Sequence, residues 1–241
     1  MKLHEWLSES PFTLSMSSGF FSFFAHAGML SALDELALVP VKVTGSSAGA
    51  LVGGCYASGC SIEEVKQQLF SLQRSDFWDP GLGLGLLKGQ LFRDQLAQFC
   101  KVDKVEDCRI PLRVSAYNLS TKQTDVLTEG SIGDAIAASC AFPVLFQPVH
   151  FSDSRYLDGG IQDRPGLYGT EPGERIFYHH ISSKSPWRRK NSASLLVPQR
   201  ENMQSIAIPD LPRVGPNKLS EGPVAYDYAY RQTQILLQQS I

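Results

Sequence analysis

The feature that most restricts the fold of this chain is residues 41–59, VKVTGSSAGALVGGCYASG. Its first five residues are mostly β-branched, as in a buried strand, and residues 48–59 are a run of small residues that predicts a helix ending at Gly59. Ser47 lies between the two elements, in the pattern G-x-S-x-G. That pattern at a strand-to-helix turn is typical of a nucleophile elbow, so Ser47 is a candidate nucleophile.

The residues around Ser47 have physical reasons to be small. Side chains at Gly45 and Gly49 would crowd the neighbouring elements of a strained turn. The N-terminus of the following helix would place partial positive charge where an oxyanion develops. The expected elbow comprises Gly45, Ser46, Ala48 and Gly49 around the serine. A purely structural turn would use similar residues, so the pattern alone does not establish catalysis. A catalytic Ser47 also needs a partner that takes its proton.

Strand and helix patterns alternate along the chain, which predicts an α/β fold with a largely parallel central sheet and helices on both faces. The segment 79–89, rich in glycine and leucine, predicts an irregular surface loop. Strands are expected at 12–16, 41–45, 111–119, 123–130, 154–160 and 175–181. Helices are expected at 28–38, 48–59, 61–73, 90–100, 131–142 and 224–239.

The composition is that of a globular protein, with 43% hydrophobic and 19% charged residues in a chain of 241. The net charge of −2 argues against nucleic-acid binding, because no broad basic field is available to collect phosphates. The basic cluster WRRK (187–190) is expected in a solvated loop. Five scattered cysteines show neither a disulfide framework nor zinc spacing, so we expect small buried thiols and no metal.

The segment MSSGFFSFFAHAGML (16–30) carries four phenylalanines within five positions. Serines and a histidine interrupt it, and a transmembrane helix needs about 20 mostly apolar residues. The first dozen residues lack the apolar region of a secretory signal. We therefore expect a soluble cytoplasmic protein that associates at most with the membrane surface.

Two arrangements could activate Ser47. One is a Ser–His–Asp triad of Ser47, Asp158 and either His179 or His180, in the chain order of an α/β-hydrolase. The other is a dyad, in which the carboxylate of Asp158 contacts the serine hydroxyl directly. An α/β-hydrolase elbow normally follows several strands, whereas one strand precedes this one, which favours the dyad.

Several segments together resemble the patatin-like phospholipase family, from about residue 12 to 182. Residues 41–59 resemble its elbow, and RYLDGG (155–160) resembles the strand that delivers its dyad aspartate, with Gly159 and Gly160 after it. AIAASCAFPVLFQPV (135–149) and GLLKGQLF (85–92) are similar to two further family blocks. The resemblance implies a three-layer α/β/α sandwich and cofactor-free hydrolysis of lipid or other acyl esters, with Ser47 as nucleophile and Asp158 as base.

The resemblance also implies a domain organisation and a membrane contact. Residues 12–182 would form the catalytic domain. Residues 183–241 would form an extension with a proline-rich loop and a terminal helix packed on the same domain. The Leu/Gly-rich segment 79–89 would be the candidate for peripheral contact with a membrane.

One segment departs from the family. Where the family has an oxyanion loop of the form G-G-G-x-R-G, this chain has SGFFSF (18–23). Main-chain donors at Ser18, Gly19 and Phe20 would still form the oxyanion hole if the loop keeps its conformation. If phenylalanine cannot adopt the required backbone angles, the protein would instead be a catalytically impaired lipid- or acyl-binding protein. His26 is expected to be structural.

Overall fold

The computed structural model describes residues 1–182 and 196–241 of the chain. Its strands are β1 (Thr13–Met16), β2 (Lys42–Ser46), β3 (Gly85–Leu87), β4 (Leu112–Asn118), β5 (Gln123–Leu127), β6 (Val144–Phe146), β7 (Val149–Phe151), β8 (Ser154–Asp158), β9 (Ile176–His180) and β10 (Met203–Ala207). Its α-helices are α1 (Leu3–Glu9), α2 (Phe23–Asp34), α3 (Ala48–Ala57), α4 (Ile62–Ser71), α5 (Gln90–Phe99), α6 (Ile132–Ser139) and α7 (Gly222–Leu237).

The central sheet of the described residues has eight strands in the order β10-β9-β1-β2-β4-β8-β7, with β5 paired to β4. The five strands from β10 to β4 are parallel, while β5, β7 and β8 join through antiparallel pairing. Helices flank the sheet. This arrangement confirms the predicted α/β fold with a mostly parallel central sheet.

The pairing along β4 explains how two distant parts of the chain come together. β5 occupies one edge of β4, so β2 and β8 share the other edge. Ser46 at the end of β2 pairs with Ser115, and Asp158 at the end of β8 pairs with the next residue, Ala116. Because β2 and β8 run in opposite directions, their carboxyl ends meet. Residues 47 and 158 therefore become neighbours.

The main hydrophobic core lies between the sheet and its helices. Every residue of α2 from Phe23 to Leu33 is buried, because α2 packs against α3, α4 and α7. The expected C-terminal helix is present as α7, and its residues Ala225 and Leu237 belong to the same core. β10 pairs with β9, so the chain after residue 195 contributes both a strand and a helix to the fold.

The segment 79–89 differs from its prediction as irregular. Residues 85–87 form β3, which pairs in parallel with β6 as a separate two-stranded sheet. Gly85 permits this close pairing, because a Cβ there would lie 2.3 Å from the backbone of Phe146. The elements α1, β6, β7 and β10 were not predicted from the sequence, and the basic cluster at 187–190 lies outside the described residues. None of the helices in the described ranges combines the length and apolarity needed to cross a bilayer.

Candidate active site

Ser47 occupies a strained turn between β2 and α3, with φ 52° and ψ −116°. The turn forces α3 close to two strands. A Cβ on Gly49 would lie 2.1 Å from the carbonyl oxygen of Met16 in β1, and a Cβ on Gly45 would lie 2.7 Å from the backbone of Gly49. The two glycines of the elbow are therefore required by space, as the sequence predicts.

The structure brings Ser47 and Asp158 into direct contact. Ser47 Oγ donates a hydrogen bond of 2.6 Å to Asp158 Oδ2. Asp158 Oδ1 accepts a bond of 2.8 Å from the N–H of Gly160, which fixes the orientation of the carboxylate. The Asp158 residue is only 5% exposed. The arrangement is a serine hydroxyl paired with a positioned, largely desolvated carboxylate.

Two residues that were not proposed from the sequence contact Ser47. Ser139, at the end of α6, accepts a 2.8 Å bond from the backbone N–H of Ser47 and donates a 2.6 Å bond to the carbonyl of Ser115. Its neighbour Cys140 contacts Ser47, and burial raises the pKa of the Cys140 thiol. Both residues lie in the segment 135–149, which resembles a block of the patatin-like phospholipase family. That resemblance was the only indication of them in the sequence.

The loop after β1 places Ser18, Gly19 and Phe20 beside Ser47 on one cavity. The N–H of Ser18 donates a 2.7 Å bond to the carbonyl of Arg164, so Ser18 is not an available main-chain donor and the expectation for this residue is wrong. The N–H groups of Gly19 and Phe20 have no acceptor within the described part of the chain. These two remain the candidate oxyanion donors.

Phenylalanine does adopt a glycine-like backbone angle in this loop. Phe21 has φ 54°, in the left-handed region that bulky residues rarely occupy. Its ring contacts the rings of Phe20, Phe23 and Phe77, with centroid distances of 4.9, 5.4 and 5.7 Å. These contacts can offset a backbone cost of about 1–2 kcal/mol.

The cavity in front of Ser47 is about 200 Å³ and mainly apolar. Phenylalanines of the loop form one wall, and side chains from α4, α5 and the segment after α6 form the others. An apolar cavity that ends on a serine and a carboxylate suits a hydrocarbon chain attached to a polar reacting group. Its aromatic and aliphatic wall includes Phe20, Phe21, Leu51, Leu69, Leu72, Phe77, Phe92, Phe99, Phe142, Leu145 and Phe146.

The candidate histidines have other partners. His26 Nε2 lies 2.8 Å from the carbonyl of Ser17, and His26 Nδ1 lies 2.9 Å from His179 Nδ1. His180 Nδ1 lies 2.8 Å from the hydroxyl of Tyr178. Because Ser47 donates directly to Asp158, no imidazole stands between the two side chains. The geometry favours the dyad over a triad through His179 or His180.

Burial keeps the paired histidines neutral. Loss of hydration lowers the pKa of His26 to about 4, and the nearby Arg164 charge acts in the same direction. Burial also moves the pKa of His179 well below its usual value. Since the carbonyl of Ser17 accepts from His26 Nε2–H, His26 Nδ1 must accept from His179 Nδ1–H. His26 is therefore a structural residue, as expected.

The turn after Asp158 is held by Asp163. Its carboxylate accepts a bond of 2.6 Å from the hydroxyl of Ser115 and bonds of 2.9 Å from the N–H groups of Leu167 and Tyr168. Burial raises the pKa of Asp163, and these hydrogen bonds oppose the rise. Asp163 thus fixes the turn that follows Asp158. Among the described residues, no group of three or more His, Cys, Asp or Glu side chains is arranged to hold a metal ion.

Comparison with known proteins gives sequence relatives over most of the folded region. An uncharacterised NTE family protein of Mycobacterium tuberculosis is 33% identical over 162 residues, which are 65% of this chain and 44% of that protein. Lysophospholipase NTE1 of Debaryomyces hansenii is 25% identical over 170 residues, or 68% of this chain and 11% of that protein. The chain thus spans less than half the length of these relatives.

Solved structures with low sequence identity share the fold. VipD from Legionella pneumophila superposes with a TM-score of 0.67 at 16% identity, over 94% of this chain and 66% of that chain. The type III effector protein ExoU superposes with a TM-score of 0.53 at 15% identity, over 95% of this chain and 53% of that chain.

The family assignment follows from a sequence match that includes both the elbow and the aspartate strand. The sequence profile of the patatin-like phospholipase family matches residues 14–168, which is more than half of the chain. The segment contains Ser47 and Asp158. Together with the shared fold, this match shows that the chain belongs to the patatin-like phospholipase family.

Proposed function

We propose that this protein hydrolyses carboxylic esters of lipids, with Ser47 as nucleophile and Asp158 as general base. The observation that carries the proposal is the 2.6 Å hydrogen bond from Ser47 Oγ to Asp158 Oδ2 at the end of an apolar cavity. A nucleophile and its base must lie within hydrogen-bonding reach, and this pair does so with the carboxylate already oriented.

The reaction proceeds in two steps. As Ser47 Oγ attacks the ester carbonyl, its proton moves to Asp158, and the resulting tetrahedral oxyanion collapses to an acyl-serine. The proton on Asp158 passes to the departing alcohol. Water then attacks the acyl-serine while Asp158 takes a proton from it, and the fatty acid leaves as Ser47 regains its hydrogen.

The weak base favours esters over amides. A free aspartate has a pKa of about 3.9, so it holds a serine proton only briefly and is rarely still protonated when an amine leaving group requires a proton. An alcohol leaving group needs less assistance. Desolvation of Asp158 and the apolar cavity strengthen the interaction, because charges attract more strongly where water is excluded.

The backbone supplies the groups that would stabilise the oxyanion. Gly19 and Phe20, whose N–H groups are the candidate donors, line the cavity that Ser47 faces, and α3 begins immediately after Ser47. A helix N-terminus carries partial positive charge. Main-chain donors do not depend on side-chain identity, so the replacement of glycine by phenylalanine is compatible with catalysis.

The turnover of p-nitrophenyl butyrate tests the proposal. Ser47→Ala and Asp158→Asn should each reduce kcat by at least about 100-fold, since a general base contributes about 10²–10⁴. Asp76→Asn is the matched control, because Asp76 is another carboxylate on the cavity wall and bonds to the backbone of Gln73 rather than to Ser47. Retained activity in folded Ser47→Ala would contradict the proposal.

The alternative is an acyl-binding protein without turnover. The strained Phe21 in the oxyanion loop is the observation that favours it. Saturable binding of a fluorescent fatty acid by the wild-type protein, with no Ser47-dependent release of p-nitrophenol, would support that alternative. Release that disappears in Ser47→Ala would exclude it.

We further propose that the β3–β6 sheet contacts a lipid surface. Leu82, Leu84, Leu86 and Val144 expose large apolar side chains there, while Phe146 of β6 lines the cavity. Leu87, in contrast, is fully buried, so the contact would use Leu86 and not its neighbour. Such a surface beside the cavity would deliver a lipid directly to Ser47.

Co-sedimentation with phosphatidylcholine–phosphatidylglycerol vesicles tests the membrane contact. The double variant Leu82→Ser and Leu84→Ser should remain largely in the supernatant, whereas the wild type sediments. Val39→Ser with Val41→Ser is the matched control, because these two valines are also exposed but lie before β2, at the opposite end of that strand from Ser47. Equal sedimentation of the wild type and both double variants would contradict the contact.

A further inference from the structure

A buried arginine lies next to the proposed oxyanion loop. Arg164 follows Asp158 by six positions, is 5% exposed, and lines the same cavity as Ser47, Gly19 and Phe20. A buried guanidinium must be held by specific contacts, because its transfer from water is costly and it stays charged. Its contacts therefore indicate what it does.

Arg164 joins three segments of the chain. Its carbonyl accepts the 2.7 Å bond from the N–H of Ser18, at the start of the oxyanion loop. Its guanidinium donates to the carbonyl of Ile181, directly after β9. The N–H of Ile181 in turn donates a 2.9 Å bond to the hydroxyl of Ser17. Arg164 thus connects three segments: its side chain bonds to the end of β9, its carbonyl bonds to Ser18, and the residue itself lies in the turn after Asp158.

The charge of Arg164 also acts on this region. Burial lowers the pKa of His26, the residue that bonds to the carbonyl of Ser17, and the charge of Arg164 lowers it further. Burial raises the pKa of Tyr178 on β9, and the charge of Arg164 opposes that rise. A fixed cation in a water-poor site favours negative charge nearby. The oxyanion expected at Gly19 and Phe20 would develop in this field.

We propose that Arg164 is a positioning residue, which holds residues 18–20 in the conformation that presents the N–H groups of Gly19 and Phe20 to the reacting carbonyl. The proposal rests on the proposed ester hydrolysis at Ser47. The expected consequence is that the Arg164 side chain governs kcat and leaves KM nearly unchanged.

The first test is kinetic, with p-nitrophenyl butyrate as a neutral substrate. Arg164→Met should lower kcat by about 10- to 100-fold, less than the 10²–10³ for loss of a direct oxyanion donor, with KM within about twofold of wild type. Arg164→Lys keeps the charge but not the planar guanidinium, so its kcat should lie between those of the wild type and Arg164→Met. Arg231→Met is the matched control, because Arg231 is an exposed arginine on α7 that does not line the cavity, so this variant should retain wild-type kcat.

The second test does not depend on activity. Amide hydrogen exchange of the peptide covering residues 16–24 should be about fivefold to tenfold faster in Arg164→Met than in the wild type. The variant keeps the backbone carbonyl that bonds to Ser18 but loses the guanidinium bond to Ile181, the residue whose N–H holds the hydroxyl of Ser17. In Arg231→Met the exchange rate should be unchanged. Protected exchange in folded Arg164→Met would overturn the proposal even if the protein had no esterase activity.

The two tests separate the possible failures. Wild-type turnover that persists in Ser47→Ala contradicts the proposed function, and the exchange experiment still decides the role of Arg164. Ser47-dependent turnover with a raised KM and unchanged kcat in Arg164→Met would make Arg164 a substrate contact and overturn its positioning role.

Discussion

The elbow with Asp158 and the phenylalanine loop at 18–23 lie on the same cavity but follow different rules. At the elbow, space decides the sequence, since a single Cβ at Gly49 would collide with the backbone of β1. In the loop, a bulky residue takes the left-handed conformation at position 21 and packs its ring against its neighbours. The elbow tolerates almost no change, whereas the loop has accepted large side chains.

The difference reflects which atoms carry each task. In the proposed reaction Ser47 and Asp158 act through their side chains, so the identity of these residues and the distance between them matter directly. The proposed oxyanion donors are backbone N–H groups, so the side chains of the loop are free to vary as long as the backbone is held. Arg164 and Ile181 bond to Ser18 and Ser17 from distant parts of the chain, and these contacts are the proposed support of the loop. His26 also bonds to the carbonyl of Ser17.

The largest effect is expected at the elbow. Gly49→Ala should cost about 3 kcal/mol or more in the free energy of unfolding, because its Cβ would lie 2.1 Å from the carbonyl oxygen of Met16 and the backbone must move. Urea denaturation followed by circular dichroism measures it. A loss below about 1 kcal/mol would show that the elbow is as tolerant as the loop.

A smaller effect is expected on the pH dependence of the free energy of unfolding, through His26, which bonds to Ser17 next to the loop. The pKa of His26 falls from an ordinary 6.5 to about 4 on folding, so between these pH values the unfolded chain binds more protons. Stability should therefore decrease as the pH falls, with His26 alone contributing about 2 kcal/mol between pH 7.5 and pH 5. Burial of His179 adds a decrease of the same sign.

Urea denaturation at both pH values checks this prediction. His26→Gln should lose part of the pH dependence, because glutamine cannot take up a proton. His150→Gln, a change at an exposed histidine, should keep the wild-type dependence. If the free energy of unfolding of His26→Gln changes with pH as much as that of the wild type, the neutral His26–His179 pair does not support the loop.

The smallest effect separates two neighbouring phenylalanines. At position 21, where φ is 54°, glycine should be more stable than alanine by about 1 kcal/mol, since both variants lose the ring but only alanine keeps the strain. At position 20, where φ is not positive, alanine should equal or exceed glycine. Thermal melting of the four single variants measures the order. The same order at both positions would contradict a strained Phe21.

The same contrast explains what the sequence could predict. The elbow and the Asp158 strand can be predicted from the sequence because local sterics fix their residues. The pattern is a β-branched strand, a serine between two glycines, and an aspartate followed by two further glycines. The three-residue strands β3, β6 and β7 carry too few residues for a period-two pattern to emerge. They form because a partner strand is available.

The oxyanion loop shows a second limit of sequence reasoning. The N–H of Ser18 is taken by the carbonyl of Arg164, 146 positions away, so its removal from the set of donors depends on a tertiary contact. Ser139 likewise reaches the backbone of Ser47 from 92 positions away. No local pattern encodes such pairs.

The most direct test of the central claim is the reaction of the protein with a fluorophosphonate probe, followed by peptide mass spectrometry. The Ser47–Asp158 dyad predicts one label per chain, on the peptide that contains Ser47, and a rate at least about 100-fold lower in Asp158→Asn. Labelling that is absent in the wild type, that falls on another residue, or that proceeds equally fast in Asp158→Asn would contradict it.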